Sequence, residues 1–287
     1  MDKIGFIGLG IMGKPMALNL LKAGYEVQVL KSSGGVQDLQ NAGASVFEDV
    51  KTLAATSDIV ITMLPDSPEV NEVVTGTDGV LNSIKEGSLF IDMSTIAPSV
   101  ARNLYQVLGE KGVEALDAPV SGGQVGAESA SLSIMVGGNA SAFERALPVF
   151  QAMGKNIIHI GSAGAGQTTK ACNQMIVGIT IQAVAEAFTL AEKAGVDLEK
   201  MREVLLGGFA QSRILDLHGK RMIDKNFKPG FKIKLHKKDL NIALETGKQL
   251  EVELNATRQV ATQLEKAIEM GNSELDHSAL YLSVNQK

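Results

Sequence analysis

The chain has 287 residues, of which 45% are hydrophobic and 4% aromatic, so one or two domains with a sizeable core are expected. The net charge of −5 disfavours a nucleic-acid-binding protein, because such proteins carry a basic patch or stripe. The single cysteine, Cys172, excludes an internal disulfide framework and a C-x-x-C metal pair.

The start of the chain and its apolar runs indicate a soluble protein. The first residues, MDKIGFIGLG, lack the basic segment and the small-residue cleavage site of a secretory signal. No uninterrupted apolar run approaches the length that a bilayer requires. We therefore expect the protein in the cytoplasm.

The first predicted element is a short apolar strand over 4–7, followed directly by a glycine-rich turn and a helix. Gly8, Gly10 and Gly13 have the spacing G-x-G-x-x-G. The first glycine allows the tight turn, the second lets the backbone approach a pyrophosphate, and the third lets helix and strand pack closely. The helix N-terminus then favours the anion. The alternative is a tight turn without a ligand, but the strand and the helix that the motif requires are both predicted.

Short apolar runs alternate with helical patterns up to about residue 160, with amphipathic segments such as 98–111 and 141–152 between them. This alternation predicts an α/β fold with a mostly parallel, doubly wound sheet and helices on both faces. After the first strand, the predicted strands cover 26–30, 58–63, 88–92, 114–117, 132–136 and 156–160.

The pattern changes near residue 161, where strands give way to helices. Residues 164–195 contain no proline, and after the opening glycines their one internal glycine is Gly178. Apolar residues recur there at helical spacing, which predicts one long buried helix. Further helical patterns cover 197–206, 236–250 and 255–270. We predict a dinucleotide-binding Rossmann-type domain over 1–162, and over 163–287 an all-α domain that serves substrate binding and oligomerisation.

Two segments carry residue types suited to chemistry on a small acid. The first, DAPVSGG over 117–123, follows a predicted strand. Ser121 offers a hydroxyl there, and the N–H groups of Gly122 and Gly123 can point at one anion, as in a carboxylate-binding nest. The alternative is an ordinary loop.

The second segment, GAGQTTKACNQ over 164–174, opens the long helix. Lys170, Asn173, Gln174 and Val177 are spaced i, i+3, i+4 and i+7, so they share one helix face. The neighbourhood of Lys170 is uncharged, and partial burial would ease deprotonation of its amine and suit it to proton transfer. The alternative is a solvated lysine. Cys172 lies on a different face and is predicted to be a small core residue.

Five segments occur in order along the chain, and together they resemble the β-hydroxyacid dehydrogenases. They are GFIGLGIMG, IDMST (91–95), DAPVSGG, the glycine-rich entry to Lys170, and PGFKIKLHKKDL (229–240). With GGFAQSRILDLHG (207–219) and DHSAL (276–280), the resemblance is closest to the 2-hydroxy-3-oxopropionate (tartronate semialdehyde) reductases.

The resemblance implies reversible, NAD(P)H-dependent reduction of 2-hydroxy-3-oxopropionate to glycerate by a homodimer or homotetramer. Alternatives within the family are 3-hydroxyisobutyrate dehydrogenation and reduction of succinic semialdehyde or glyoxylate. A hypothesis of a different class is a nucleotide-binding scaffold without turnover. No membrane or nucleic-acid partner is expected.

The resemblance also implies residue roles. Lys170 would be the general acid/base, and Ser121, Gly122 and Gly123 would hold the substrate carboxylate. Many family members have an asparagine four positions after the lysine, where this chain has Gln174. The asparagine is one position earlier, so we favour Asn173 as the substrate amide and keep Gln174 as the alternative. The implied cofactor contacts are Gly8, Leu9, Gly10, Ile11, Met12, Gly13, Leu64, Pro65, Thr95 and Lys238.

The end of the second strand bears on the choice of cofactor. NAD-dependent enzymes place an acid there for the ribose 2′-hydroxyl, whereas this chain has Lys31, Ser32 and Ser33 after Leu30. One cation and two hydroxyls suit a 2′-phosphate, although the arginine frequent in NADP-dependent relatives is missing. We favour NADP(H), with NAD(H) as the alternative.

The remaining polar residues have structural interpretations. His159 ends a predicted strand, and Asp276 is predicted to cap a helix. The four histidines are scattered without an H-x-x-x-H spacing, so we predict no metal site.

Overall fold

A nine-stranded sheet organises the first part of the chain in the computed structural model, which describes residues 2–285. The strand order is β3-β2-β1-β4-β5-β6-β8-β7, with β9 on β8. Strands β1 to β6 are parallel, and β8 runs antiparallel to β6 and β7. The strands are β1 (Lys3–Ile7), β2 (Glu26–Leu30), β3 (Ser45–Phe47), β4 (Ile59–Thr62), β5 (Leu89–Asp92), β6 (Glu114–Asp117), β7 (Val120–Ser121), β8 (Leu132–Gly138) and β9 (Gly154–Gly161).

Helices connect these strands, and the elements after β9 are all helical in the described residues. Those of the first part are α1 (Gly13–Lys22), α2 (Val36–Asn41), α3 (Val50–Thr56), α4 (Ser67–Thr75), α5 (Pro98–Gly109), α6 (Gly123–Glu128) and α7 (Ala140–Gln151). Then follow α8 (Ala165–Lys193), α9 (Leu198–Leu206), α10 (Arg213–Ile223), α11 (Ile233–Gln249), α12 (Asn255–Glu269) and α13 (Leu280–Val284).

The predicted fold class is confirmed: a doubly wound, mostly parallel sheet is followed by helices alone. The strands at 26–30 and 114–117 have the predicted bounds, and the long helix at 164–195 is α8. The short strands β3 and β7 and the helix α10 were not predicted. Three and two residues are too few for β3 and β7 to show a period, and Gly219 interrupts the apolar pattern of α10.

The sheet is apolar on both faces because helices cover both. Phe6 and Ile61 belong to one buried cluster, whereas the neighbouring Ile7 and Val60 belong to another. Alternate residues of a strand point to opposite faces, and a strand covered on both sides is therefore apolar throughout. This pattern explains the continuous apolar runs that the sequence shows in these strands.

The chain divides into two compact units, the first ending at Lys170 and the second beginning at Ala171. Helix α8 is continuous across this point. The predicted division at residue 162 stays a prediction. In the second unit a buried cluster brings Ile181 and Phe188 of α8 together with residues of α10, α11 and α12.

Helix α8 is long and apolar enough to cross a membrane by length and composition, but one of its faces lies in this buried cluster. We therefore regard it as a core helix. The opposite face is exposed: Ile176 is 67% and Leu190 73% exposed. Cys172 lies on this exposed face, so the prediction of a core cysteine was wrong. The reason is geometric, since position 172 is half a helical turn away from the buried Ile181.

Candidate active site

The glycine-rich turn has the backbone geometry that a dinucleotide needs. Gly8 has φ +105°, and a Cβ there would collide with the carbonyl oxygen of Met63. A Cβ at Gly13 would collide with the carbonyl of Gly8, so strand and helix need glycine at both positions. A Cβ at Gly10, in contrast, would meet no atom of the described chain within 4 Å. The second glycine therefore faces open space, as required where a pyrophosphate approaches.

Helix α1 begins directly behind this turn. Its N-cap is Met12, whose side chain makes no capping hydrogen bond within residues 2–285. The Lys14 N–H donates to the Gly10 carbonyl at 3.1 Å, but no side chain caps this helix start, which suits a phosphate. Leu9 is buried beneath the turn, and Ile11 is 51% exposed.

The next predicted cofactor contacts lie at the same edge of the sheet. Leu64 and Pro65 follow β4, and Thr95 follows β5. Because β1, β4 and β5 are parallel neighbours, their carboxyl ends and the loops after them lie side by side. The Leu64 N–H donates to the Ser94 hydroxyl at 2.9 Å, which ties two of these loops together.

Gln167 on α8 holds the loop around Thr95 from both sides. Its Nε2 donates to the Ser94 carbonyl at 2.8 Å, and its Oε1 accepts from the Ile96 N–H at 3.1 Å. Gln167 is 1% exposed, so this clamp is buried. Sequence reasoning missed this role, although Gln167 lies three positions before Lys170.

Asp117, at the end of β6, fixes the start of α8. Its two carboxylate oxygens accept the N–H groups of Gly164, at 2.7 Å, and Gln167, at 2.8 Å. Burial, assisted by the neighbouring Asp92, raises the Asp117 pKa from 3.8 to about 6 despite these hydrogen bonds. The sequence analysis placed this residue in a functional segment without assigning it a role. A carboxylate at a helix N-terminus also complements the helix dipole.

Lys170 follows on the first turns of α8. It is 7% exposed, which is unusual for lysine, and it has interaction partners. Asp117 and Gln167 therefore orient a helix start that carries a nearly buried amine.

The predicted carboxylate site also has a suitable backbone. Ser121 ends β7, and Gly122 and Gly123 follow with φ of +139° and +60°. Both values lie in the region that favours glycine. The two glycines are exposed and begin α6, which lacks a side-chain cap in the described part of the chain. Consecutive N–H groups of this kind can bind an anion.

In the second unit, the amides after Lys170 form a polar cluster with α11. Asn173 Nδ2 donates to Gln174 Oε1 at 2.8 Å, and Gln174 Nε2 donates to Asp239 Oδ2 at 2.6 Å. Asp239 is 2% exposed, and its other oxygen lies 3.0 Å from the Lys238 amine. The sequence analysis singled out Lys238 but missed Asp239, the adjacent carboxylate in the same KKDL segment.

The loop after β2 lies next to an acidic residue that the loop itself does not contain. Lys31 and Ser32 are exposed and Ser33 is half-buried. The Lys31 amine lies 2.7 Å from Glu48, which follows β3. Residues 30–33 contain no acid, but strand pairing brings one to Lys31.

His159 and Asp276 have the structural contacts that were predicted for them. His159 lies in β9, contacts the Gly138 carbonyl at 2.8 Å and stacks on Phe143, in agreement with a structural role. Asp276 accepts the Ser278 N–H as a cap, also as predicted.

Although the four histidines are far apart in the sequence, the fold brings three of them together in the second unit. His218, Asp276 and His277 even form a group with the residue types and spacing of metal ligands, within 4.8 Å of one another.

Comparison with known proteins covers both parts of the chain. Residues 3–161 match the family model of the NAD-binding domain of 6-phosphogluconate dehydrogenase. Residues 164–284 match the model described as the NAD-binding domain of NADP-dependent 3-hydroxyisobutyrate dehydrogenase.

Individual relatives match over nearly the whole chain. The 2-hydroxy-3-oxopropionate reductase of Escherichia coli is 46% identical over 97% of this chain and 95% of its own length. The 2-(hydroxymethyl)glutarate dehydrogenase of Eubacterium barkeri is 40% identical over 97% and 93%. Among solved structures, the 3-hydroxyisobutyrate dehydrogenase of Mycobacterium tuberculosis with L-serine is 35% identical, covers 100% of both chains and has a TM-score of 0.90.

Proposed function

This chain belongs to the β-hydroxyacid dehydrogenase family, and we propose that it reduces 2-hydroxy-3-oxopropionate to glycerate with NADPH. The family consists of NAD(P)-dependent oxidoreductases that act on small hydroxy acids, so the chain is an enzyme with a nicotinamide cofactor. The scaffold alternative is therefore not supported. The observation that carries the proposal is the nearly buried Lys170 on a helix start oriented by Asp117 and Gln167.

The glycine turn fits the dinucleotide. Gly10 leaves open space in front of the uncapped α1, and the loops bearing Leu64 and Thr95 lie at the same sheet edge. We assign the pyrophosphate to the α1 N-terminus, with Leu64, Pro65, Thr95 and Lys238 as further contacts. When bound, the nicotinamide supplies the hydride.

The chain itself supplies orientation and a proton. We assign the substrate carboxylate to Ser121, Gly122 and Gly123, where one hydroxyl and two N–H groups can hold it and thereby orient the carbonyl. The Lys170 ammonium stabilises the negative charge that develops on the carbonyl oxygen during hydride transfer. It then donates a proton to that oxygen, which completes the hydroxyl group and leaves a neutral amine that regains a proton from water. In the reverse direction the neutral amine accepts the hydroxyl proton.

The hydrogen bonds favour Asn173 over Gln174 as the substrate amide. Gln174 is 4% exposed, and both ends of its side-chain amide are engaged, by Asp239 and by Asn173. Asn173 is less buried and spends one N–H on Gln174. We therefore propose that Gln174 orients Asn173, which contacts the substrate.

A substrate panel tests the proposed reaction. We expect the highest kcat/KM for 2-hydroxy-3-oxopropionate among aldehyde acids that include methylmalonate semialdehyde, succinic semialdehyde and glyoxylate, each with NADPH and NADH. Such analogues differ by one or two groups, and a pocket separates them by about 1–3 kcal/mol per group, or roughly 10- to 200-fold. A higher kcat/KM for methylmalonate semialdehyde would assign the chain to 3-hydroxyisobutyrate chemistry instead.

Ser121→Ala tests the carboxylate site separately. We expect KM for the aldehyde acid to rise about tenfold, the equivalent of one hydrogen bond, with little change in kcat. Ser129→Ala, at the other end of α6, is the matched control. An unchanged KM for the Ser121 variant would contradict the assignment.

The preference for NADPH depends on Lys31. Its ion pair with Glu48 is exposed on both sides and contributes little, so a 2′-phosphate can replace it. Lys31→Ala should lower kcat/KM for NADPH about tenfold and leave the value for NADH unchanged. Lys51→Ala is the control, because Lys51 forms a similarly exposed pair with Asp78 at 3.1 Å. Equal losses with both cofactors would contradict the proposal.

We also propose that the enzyme is a cytoplasmic homodimer or homotetramer. The exposed apolar face of α8, with Ile176 and Leu190, supports self-association. Light scattering should give two or four times the chain mass, and Ile176→Glu with Leu190→Glu should reduce it. A monomeric wild-type enzyme would contradict this proposal.

A further inference from the structure

The second unit contains a row of three histidines that the proposed function does not use. His236 on α11 is 1% and His277 before α13 is 5% exposed, and their Nδ1 atoms lie 3.0 Å apart. Nε2 of His277 lies 3.2 Å from Nε2 of His218 on α10. At the other end, Nε2 of His236 lies 3.1 Å from the carbonyl oxygen of Gln174. The three rings therefore connect α10 and α11 to the backbone of α8. We call this row the histidine chain.

The Gln174 carbonyl determines where the ring protons of the histidine chain lie. A carbonyl only accepts, so Nε2 of His236 carries a hydrogen and its Nδ1 accepts in the neutral ring. His277 must then donate from Nδ1, which leaves its own Nε2 as an acceptor. His218 must in turn donate from Nε2. Each ring has one allowed arrangement, and all three N–H groups point towards Gln174.

At the far end of the chain, Nδ1 of His218 is buried and lies 3.5 Å from Oδ1 of Asp276. The histidine chain therefore ends next to a carboxylate.

The surroundings keep Asp276 ionised. Arg221 lies 3.2 Å from its Oδ2, which also accepts the N–H groups of Gly230 and Phe231. Burial by itself would raise the Asp276 pKa, but the contact with His218 and the other donors lower it well below its usual range. The negative charge next to His218 is thus maintained.

The middle of the chain stays neutral. Burial lowers the pKa of His277 well below its ordinary value, and the neighbouring His236, His218 and Arg221 act in the same direction against a weaker opposite effect of Asp276. The central ring of the histidine chain is therefore a neutral imidazole with a single ring hydrogen.

Gly178 provides the space that the His236 ring needs at α8. A Cβ at this position would lie 3.2 Å from Nε2 and 3.3 Å from Cε1 of His236. A glycine inside a helix costs about 1 kcal/mol relative to alanine, so its presence in the middle of α8 requires a reason. The close approach of the imidazole to the Gln174 carbonyl is such a reason.

Two hydrogen bonds of opposite direction join α8 and α11 at Gln174. His236 donates to the backbone carbonyl of Gln174. The side chain of Gln174 donates to Asp239, which lies three positions after His236 on α11. The same side chain accepts from Asn173. Movement of His236 would therefore change the orientation of Gln174 and, through it, that of Asn173, which we assign to the substrate.

We propose that His236 is a positioning residue for the substrate amide, held in one tautomer by the Gln174 carbonyl and by His277, which His218 contacts in turn. The kinetic consequence of this inference rests on the proposed function. The arrangement of the ring protons is independent of it.

A metal ion is the rival occupant of His218, Asp276 and His277. Arg221 adjoins the same carboxylate, and the Asp276 oxygens already accept several hydrogen bonds, including 2.6 Å from the Ser278 hydroxyl. A cation would have to displace these donors. The observed contacts therefore disfavour a metal ion at this position.

Nuclear magnetic resonance of the full chain with ¹⁵N-labelled histidine rings tests the proton arrangement. The four histidines are assigned with single substitutions, and spectra are recorded at neutral pH with a chelator and after one equivalent of Zn²⁺. We expect Nε2–H for His236, Nδ1–H for His277 and Nε2–H for His218, unchanged by zinc. Another tautomer of His236 or His277, or loss of their ring protons with zinc, would overturn the proposal.

Kinetics test the positioning role. His236→Gln keeps an N–H near the position of Nε2, whereas His236→Phe keeps the size of the ring without a donor. We expect KM for the aldehyde acid to rise about tenfold in the Phe variant and less than about threefold in the Gln variant, with kcat affected less. His159→Phe is the control, since His159 also contacts a backbone carbonyl but lies in β9.

The outcomes separate the two proposals. Equal kinetic effects of Gln and Phe, or no effect of either, would overturn the positioning role. If the wild-type enzyme reduces none of the aldehyde acids, the proposed function fails, and the ring protons still decide whether the histidine chain exists.

Discussion

The first turn of α8 and its middle are both held by buried polar side chains, but of opposite kind. At the start, the Asp117 carboxylate accepts N–H groups of Gly164 and Gln167. In the middle, the His236 imidazole donates to the Gln174 carbonyl. The N–H groups at a helix start have no partners within the helix, so a carboxylate fits there without a change in the helix. The middle offers only carbonyls already bonded along the helix, so a second donor needs extra room, and Gly178 supplies it.

The two contacts hold one helix at successive turns, on which the proposed general acid and the proposed substrate amide lie. Lys170 lies after the first contact and Asn173 just before the second. We expect loss of the Asp117 contact to cost more stability than loss of the His236 contact, because it leaves two buried N–H groups without an acceptor. The two contacts should therefore respond differently to substitution.

The largest effect is expected at Lys170, between the two contacts. Lys170→Ala should lower kcat by about 10²- to 10⁴-fold while cofactor binding is retained, because a general acid acts in the transition state. Steady-state kinetics and NADPH fluorescence titration measure the two quantities. Lys193→Ala, in the last turn of the same helix, is the control. Near-normal turnover of the Lys170 variant would contradict the proposed mechanism.

Asp117→Ala should be the most destabilising change at either contact. It leaves two buried N–H groups of α8 without their acceptor, at a cost of about 2–5 kcal/mol in the free energy of unfolding. Asp197→Ala is the matched control, because Asp197 also accepts two N–H groups, of Glu199 and Lys200, but at an exposed helix start. We expect a much smaller loss for the control, because water can replace the carboxylate at an exposed helix start. Equal losses in urea unfolding would show that burial of the first contact is unimportant.

The stability contributed by Asp117 should depend on pH. Its pKa is raised from 3.8 to about 6 in the folded protein, so folding favours the protonated carboxyl. The contribution is fully present below pH 3.8 and is lost as the pH rises through 6, with a total loss of up to about 3 kcal/mol. Asp117→Asn cannot titrate. The difference in unfolding free energy between wild type and this variant should therefore fall between about pH 4 and 7, and a constant difference would contradict the shift.

The smallest effect is expected at the second contact, between His236 and the Gln174 carbonyl. Replacement of glycine by alanine inside a helix ordinarily raises the free energy of unfolding by about 1 kcal/mol. Gly178→Ala should not show this increase, because its Cβ displaces the His236 ring by a few tenths of an ångström. Gly109→Ala, in α5, should keep that gain, since a Cβ there meets no described atom within 4 Å. Thermal unfolding compares the two. Stabilisation of both variants by the same amount would show that Gly178 does not serve the imidazole.

Much of the fold and part of the candidate site could be predicted because they depend on local patterns. The glycine spacing at 8–13, the alternation of strands and helices, and the 29 residues of α8 are visible in short stretches of sequence. The expected roles of Ser121, Lys170 and Asn173 came from resemblance to the family and remain proposals. The short strands and α10 escaped prediction because their patterns are brief or interrupted.

Sequence by itself determined the order of elements, both apolar faces of the sheet and the dinucleotide turn, because propensity and periodicity act between neighbouring residues. Only the tertiary structure decided which distant polar groups meet. Asp117 reaches Gly164 across 47 positions, and His218 meets His277 across 59. Buried hydrogen-bonding groups need partners wherever packing places them, and packing of the whole chain, not local sequence, chooses those partners.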